Sequence, residues 1–192
     1  MTITSEPFNP IIDFVTSRRF LSHNECKRII ELGEKRALKA GKISDSDQSD
    51  DIRKCTVSWF DRDPETIWIF DQLEKVIGAV NEKFFHYHIE GFEPLQFTVY
   101  NPGDHYVKHL DNQTSSNHPT SRKLSFSIQL SDPDTYTGCN LEFWNHGEFY
   151  NPASRDYGSL TIFSSFIPHR VTMLEQGRRY ALVGWIFGPQ FS

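Results

Sequence analysis

The spacing of apolar residues changes character near residue 95, dividing the chain into a helical part and a strand-rich part. Between residues 23 and 40, Cys26, Ile29, Ile30 and Leu32 begin an apolar stripe with charges on the opposite side, which predicts a helix. Ser22 and Glu25 supply a capping box at its start, and Gly41 marks its end. CTVSWF (55–60) reads as a strand. Asp63-Pro64-Glu65 then offers an N-cap, a proline at the first helical position and an acidic first turn. A second helix is expected to run to about Phe84, burying Ile67, Phe70, Leu73, Val76, Ile77 and Val80. From Leu95 the pattern shortens to strands at 95–100, 106–110, 123–130, 140–144, 160–163, 169–173 and 179–187, separated by Gly, Pro, Asn and Asp. The expected architecture is mostly β, a jelly roll or double-stranded β-helix, with the two long N-terminal helices bracing one sheet and leaving its mouth free.

Composition narrows the class. A chain of 192 residues with 16 Phe, 7 Tyr and 4 Trp can bury a substantial core as a single domain. Residues 1–94 are expected to form helical support and first strands, and 95–188 the β-core. The formal charge of −5 argues against a nucleic-acid surface, since phosphate binding needs clustered Lys and Arg. The best basic cluster, Lys35, Arg36, Lys39 and Lys42, is expected on a solvated helix face. Cys26, Cys55 and Cys139 are odd in number and widely spaced, which suits a reducing compartment. No signal peptide or membrane span is read, so a cytoplasmic protein is expected; oligomeric state is not legible.

The candidate chemistry lies in YNPGDHYVKHLDN (100–112). Residues i and i+2 of a strand share a face, so His109 and Asp111 can aim an imidazole and a carboxylate at one point. His169, from a strand that folds back, supplies a second imidazole, and Arg179 follows ten residues later. Two histidines and one carboxylate fill half of an octahedral shell and leave the rest open, which suits non-haem Fe(II).

These segments resemble the iron- and 2-oxoglutarate-dependent oxygenases of the prolyl 4-hydroxylase-like branch, and PKHD-type hydroxylases in particular. Tyr100, Gly103, Tyr106, His109 and Asp111 follow that family's Tyr-x-x-Gly-x-x-Tyr-x-x-His-x-Asp motif, and His169, Gly177, Arg179 and Trp185 its later His…Gly-x-Arg…Trp segment. The resemblance implies that His109, Asp111 and His169 hold Fe(II) and are the catalytic centre. It also implies that Arg179 pairs with the distal carboxylate of 2-oxoglutarate and that Tyr100 lines the cosubstrate pocket. Arg178 is the competing anchor but is expected to face the other side of the strand. O2 would be the second cosubstrate, with ascorbate as reductant, and the reaction would hydroxylate an unactivated C–H bond. Two positions depart from the family: Ile128 aligns with a central-strand Tyr, and Cys139 stands where a second Gly is usual.

The resemblance favours a prolyl residue of a peptide or protein as substrate, with a free amino acid or other small metabolite as the alternative. A different class, a non-catalytic metal-binding cupin-like sensor, would have no use for Arg179. His86 and His88 also satisfy the i, i+2 rule but lack a carboxylate partner in their segment, and surface or packing roles are expected for them. Loops are expected at 42–51 and 112–121, the second bordering the mouth; His118 and His146 are read as loop residues.

Overall fold

A computed structural model describes residues 13–36, 38–41, 52–112, 119–145 and 148–190. The expected loop at 42–51, most of that at 112–121, His118 and His146 lie outside the described residues. In sequence order the strands are β1 (Phe14–Ser17), β2 (Lys39–Ala40), β3 (Arg53–Lys54), β4 (Thr56–Phe60), β5 (Gly91–Phe92) and β6 (Leu95–Tyr100). There follow β7 (His105–His109), β8 (Thr120–Gln129), β9 (Thr137–Gly138), β10 (Leu141–Asn145) and β11 (Glu148–Pro152). The last are β12 (Leu160–Ser164), β13 (His169–Val171), β14 (Leu174–Gln176) and β15 (Arg179–Pro189).

The fold is mostly β and its pairings are antiparallel. The larger sheet runs β1-β12-β8-β15-β6-β4-β2, with β5 beside β15, and a smaller sheet runs β11-β10-β13-β7-β3. β8 and β15 lie at the centre and pair from Ala181 opposite Gln129 to Pro189 opposite Thr120. Their outer-face residues Leu124, Phe126, Ile128, Leu182 and Ile186, with Leu95, Phe97 and Val99 of β6, form the main core under the helices. A second cluster, including Val57, Tyr100, Leu141, Phe143, Phe163 and Val171, joins residues of the two sheets. The larger sheet is therefore buried on both faces. This explains why all six residues of β6 are buried although they alternate apolar and polar beyond Leu95.

Helix α1 (His23–Lys35) begins as its sequence predicts. Ser22 and Glu25 close a reciprocal box, with Glu25 N donating to Ser22 Oγ at 3.3 Å and Ser22 N to Glu25 Oε2 at 2.8 Å. It stops at Lys35, short of the expected residue 40. Arg36 is extended (φ −82°, ψ 152°), its guanidinium donates to Trp59 O and to Asp63 Oδ2, and the backbone turns outward so that β2 pairs with β4. Lys35, Arg36 and Lys39 consequently do not share one helix face, and Lys42 lies outside the described residues.

Helix α2 (Ile67–Val80) also differs from its expected bounds. Asp63 Oδ1 accepts from Glu65 N and Thr66 N, so the acidic segment forms a turn ahead of the helix and Thr66 becomes the N-cap. At the far end the helix widens into a π-turn (Asn81–Phe85) that closes on His86 at φ 57°. The Asn81 side chain secures this exit by bonding both N and O of Tyr87. No helix among the described residues is long and apolar enough to cross a membrane.

Candidate metal centre and cosubstrate pocket

β7 and β13 are antiparallel neighbours, and their register sets His109 directly opposite His169, with ring centroids 4.2 Å apart. Asp111 lies two residues past the end of β7, in a bend. Its backbone N–H and that of Asn112 both donate to Ser165 O at 3.1 Å, which ties the bend to the segment leading into β13. Its two carboxylate oxygens then face the two rings: Oδ1 is 3.4 Å from His109 Nε2, and Oδ2 is 3.5 Å from His169 Nε2. One donor atom from each of the three residues lies within 4.8 Å of the others, the compactness a single metal ion needs.

The protonation pattern suits a cation. Burial works to raise the Asp111 carboxyl, but His169 and His109 outweigh it and hold the group well below the usual carboxylate range. Burial pushes His169 down, favouring the neutral ring that can donate a lone pair. His109 Nδ1 lies 2.8 Å from Val107 O, and His169 Nδ1 lies 2.9 Å from Ile167 O. A carbonyl only accepts, so each Nδ1 carries a proton and Nε2, on the Asp111 side, is the ring atom each histidine presents to a metal. The site thus has three preset donors, and its residues fit a divalent metal.

Tyr106 stacks on His109 with centroids 3.5 Å apart. Strand alternation would place these residues on opposite faces. The register between β13 and β7 slips between His169 and Val171, so a step of two residues along β13 matches a step of three along β7 and Tyr106 turns to the His109 side.

A cavity of about 280 Å³ opens beside the triad. Tyr100 and Tyr106, Gln96 and Thr98, Ser127, Arg179, Val183 and Trp185 all contribute to its wall. Arg179 is the buried member of the Arg178–Arg179 pair. Its Nε donates to Gln129 Oε1 at 3.0 Å, and its guanidinium lies 5.5 Å from the Tyr100 ring. Gln129 is itself fixed, since Nε2 donates to Ser131 O and to the Tyr136 hydroxyl. Arg178 instead lies exposed against Asn101 and the Tyr180 hydroxyl.

Ile128 does not occupy the pocket position that alignment with a central-strand Tyr implied. It is fully buried in the core beneath the helices, and its neighbours Ser127 and Gln129 face inward, because residues one apart on a strand point to opposite faces. Cys139 sits at φ 53°, a left-handed conformation that favours glycine; its buried Sγ faces Arg179 Nη1 at 3.8 Å. Sequence reasoning missed Gln96 and Arg53, which line the cavity, and Gln129, which holds Arg179. No local signal marks Arg53 or Gln129, because the pairing of β8 with β15 that sets Gln129 beside Arg179 is not encoded in either strand alone.

Residues 95–187 match the 2OG-Fe(II) oxygenase superfamily. Over this segment, which holds the triad and Arg179, the protein is similar to that superfamily. Among curated proteins, a PKHD-type hydroxylase of Synechococcus elongatus is 41% identical over 95 residues, covering 48% of this chain and 42% of that relative. A PKHD-type hydroxylase of Hyphomonas neptunium is 34% identical over 100 residues, covering 50% of this chain and 43% of the relative. The match therefore spans less than half the length of these relatives. In three dimensions the protein superposes on a Pseudomonas putida prolyl-4-hydroxylase with a TM-score of 0.72 at 20% identity, covering 94% of both proteins. A Trichoplax adhaerens prolyl hydroxylase, solved with a hypoxia inducible factor peptide fragment, gives 0.75 at 20% identity, covering 91% of this chain and 83% of that one. At these identities the structural likeness establishes a shared fold.

Proposed function

We propose that this protein is an Fe(II)- and 2-oxoglutarate-dependent hydroxylase of an unactivated C–H bond, with a prolyl ring as the favoured target. In this reading the protein is one catalytic domain, a double-stranded β-helix whose core is 95–188 and whose support is 1–94. The convergence of His109, Asp111 and His169 beside a buried arginine that has no carboxylate partner among the described residues carries the proposal. His109, Asp111 and His169 hold the iron, and Arg179 holds the distal carboxylate of 2-oxoglutarate. When bound, the iron, 2-oxoglutarate and O2 together supply an oxidant able to attack a C–H bond, with succinate and CO2 as the co-products.

The protein's own residues prepare that chemistry. The Val107 and Ile167 carbonyls fix both imidazoles, so the donors need no reorganisation on metal binding. Gln129 orients the Arg179 fork, and a planar guanidinium meets a carboxylate with two parallel bonds. Tyr100 and Trp185 wall the cavity with apolar surface that limits water. A sensor without catalysis would have no use for the Arg179 site.

The prolyl target is supported by the names of the hydroxylases whose fold this protein shares. A free amino acid is the second reading, favoured by a second buried arginine in the pocket wall, Arg53. The test is incubation with Fe(II), ascorbate, 2-oxoglutarate and O2. Succinate should form above a no-iron control, and a substrate pool should show a gain of one oxygen by mass spectrometry. No iron-dependent succinate under any substrate pool overturns the oxygenase reading.

A further inference from the structure

The cavity contains a second buried arginine. Arg53 of β3 is 7% exposed and lines the same pocket as the triad. Its Nε donates to Cys55 Sγ at 3.1 Å, an Nη2 hydrogen goes to Gln96 Oε1, and its guanidinium lies 4.9 Å from the Tyr106 ring. Tyr106 in turn stacks on His109, so Arg53 stands one ring away from the metal centre. Both polar partners are neutral, because burial keeps the Cys55 thiol above its ordinary range. Among the described residues no carboxylate pairs with Arg53.

Other surface-facing arginines are treated differently by the fold. Arg122, at the rim against Trp185, makes a two-pronged bond to Glu93 at 2.7 and 2.6 Å. Arg178 has Glu34 at 3.6 Å, and Arg170 has Glu142 at 2.7 Å. Arg53 is more deeply buried than these three and yet has no such partner among the described residues. Burying an uncompensated charge is costly, so the position calls for an anion. The site is also built to admit the side chain. A Cβ on Gly41 would fall 2.6 Å from Cys55 Sγ and 3.2 Å from Arg53 Nε, so the absence of a side group there makes room for this pair.

The charges proposed for the filled site leave Arg53 over. Divalent iron, the Asp111 carboxylate, doubly ionised 2-oxoglutarate and the Arg179 guanidinium cancel. A guanidinium remains charged at any working pH and has five donors, of which Cys55 and Gln96 take two. We infer that Arg53 receives a free carboxylate of the substrate, so that the hydroxylated molecule is an α-amino acid or another small acid rather than the interior of a peptide. This inference rests on the oxygenase reading and deepens it by naming the substrate's recognised group.

The test uses the full-length protein loaded with Mn(II) and 2-oxoglutarate, so that binding is read without turnover. Calorimetry compares each common L-amino acid, proline included, with its primary amide, and with its N-acetyl form to distinguish a free amino acid from the C-terminus of a peptide. At least one acid should bind about tenfold or more tightly than its amide, the range expected for a charge-assisted bond. Both Arg53→Gln and Arg53→Lys should bring that preference down to within about threefold while 2-oxoglutarate affinity stays unchanged. Thermal melting checks that the variants fold, and the lysine variant keeps the charge if the glutamine variant does not. Equal binding of acids and amides by the unaltered protein overturns the inference, as does a preference that survives in both folded variants. Failure of 2-oxoglutarate itself to bind the Mn(II)-loaded protein is a different result, and it removes the oxygenase reading along with this one.

Discussion

His109 and His169 are direct cross-strand partners, although 59 residues separate them in sequence. Their imidazoles are consequently held by the same ladder that joins β7 to β13, and neither ring depends on a free loop for its place. Asp111 alone reaches the site from outside a strand, by way of the two N–H bonds to Ser165 O.

Removing a donor should therefore abolish metal binding without unfolding the protein. His109→Ala and Asp111→Ala are expected to lose Mn(II) binding in a calorimetric titration and to bring succinate formation to the no-iron level, with circular dichroism unchanged. Tight Mn(II) binding by either variant would take that residue out of the ligand set.

The two neighbouring arginines should behave differently. Arg179→Ala is expected to weaken 2-oxoglutarate binding by roughly ten- to a hundredfold, the scale of a lost charge-assisted pair. Arg178→Ala, exposed and bonded to Asn101, should leave that affinity unchanged. Gln129→Leu keeps the arginine but removes its Oε1 partner, and should weaken binding by an intermediate factor. Equal effects of the Arg178 and Arg179 changes would move the anchor.

Gly33 is where α1 comes closest to the sheet. A Cβ there would lie 2.3 to 2.5 Å from three ring atoms of Phe97, which is fully buried and stacks with Phe60 and Tyr180. Gly33→Ala gains about 1 kcal/mol in helix propensity. Overpacking a ring that cannot move costs up to about 3 kcal/mol. The net expectation is a loss of up to about 2 kcal/mol, seen as a lower midpoint in urea. An unchanged or raised midpoint would show that α1 can slide.

The capping box gives a pH signature. Gln72 and Ser22 hold the Glu25 carboxyl below its ordinary value of 4.5. A depressed folded pKa means stability that is present above the unfolded pKa and lost as pH falls through the folded one. Glu25→Ala should cost about 1 kcal/mol near neutrality. That difference should shrink in acid below the carboxylate range, as checked by thermal melts of both proteins at two pH values. A difference independent of pH would assign the effect to packing alone.

Several elements were legible because they are encoded locally. The Ser22–Glu25 box started α1 where the sequence placed it, and LQFTVY became β6 with the expected bounds. The ends of the helices were not, because Arg36 and Asp63 answer to partners elsewhere in the fold. Short strands such as β2, β3 and β5 carry no pattern of their own and form because a longer strand offers them an edge.

By itself the sequence marked His109, Asp111 and His169, which the fold brings together, separated Arg179 from Arg178 by strand parity, and predicted a strand-rich second half, since residue type and alternation are local properties. Tertiary structure decided the rest. Register made the two histidines face each other, a slip in that register turned Tyr106 onto His109, and parity sent Ile128 into the core and Gln129 to Arg179. Burial also left Arg53 in the pocket with neutral polar partners. These outcomes depend on which strand lies beside which, and that pairing is set by burying one continuous core rather than by any single stretch of sequence.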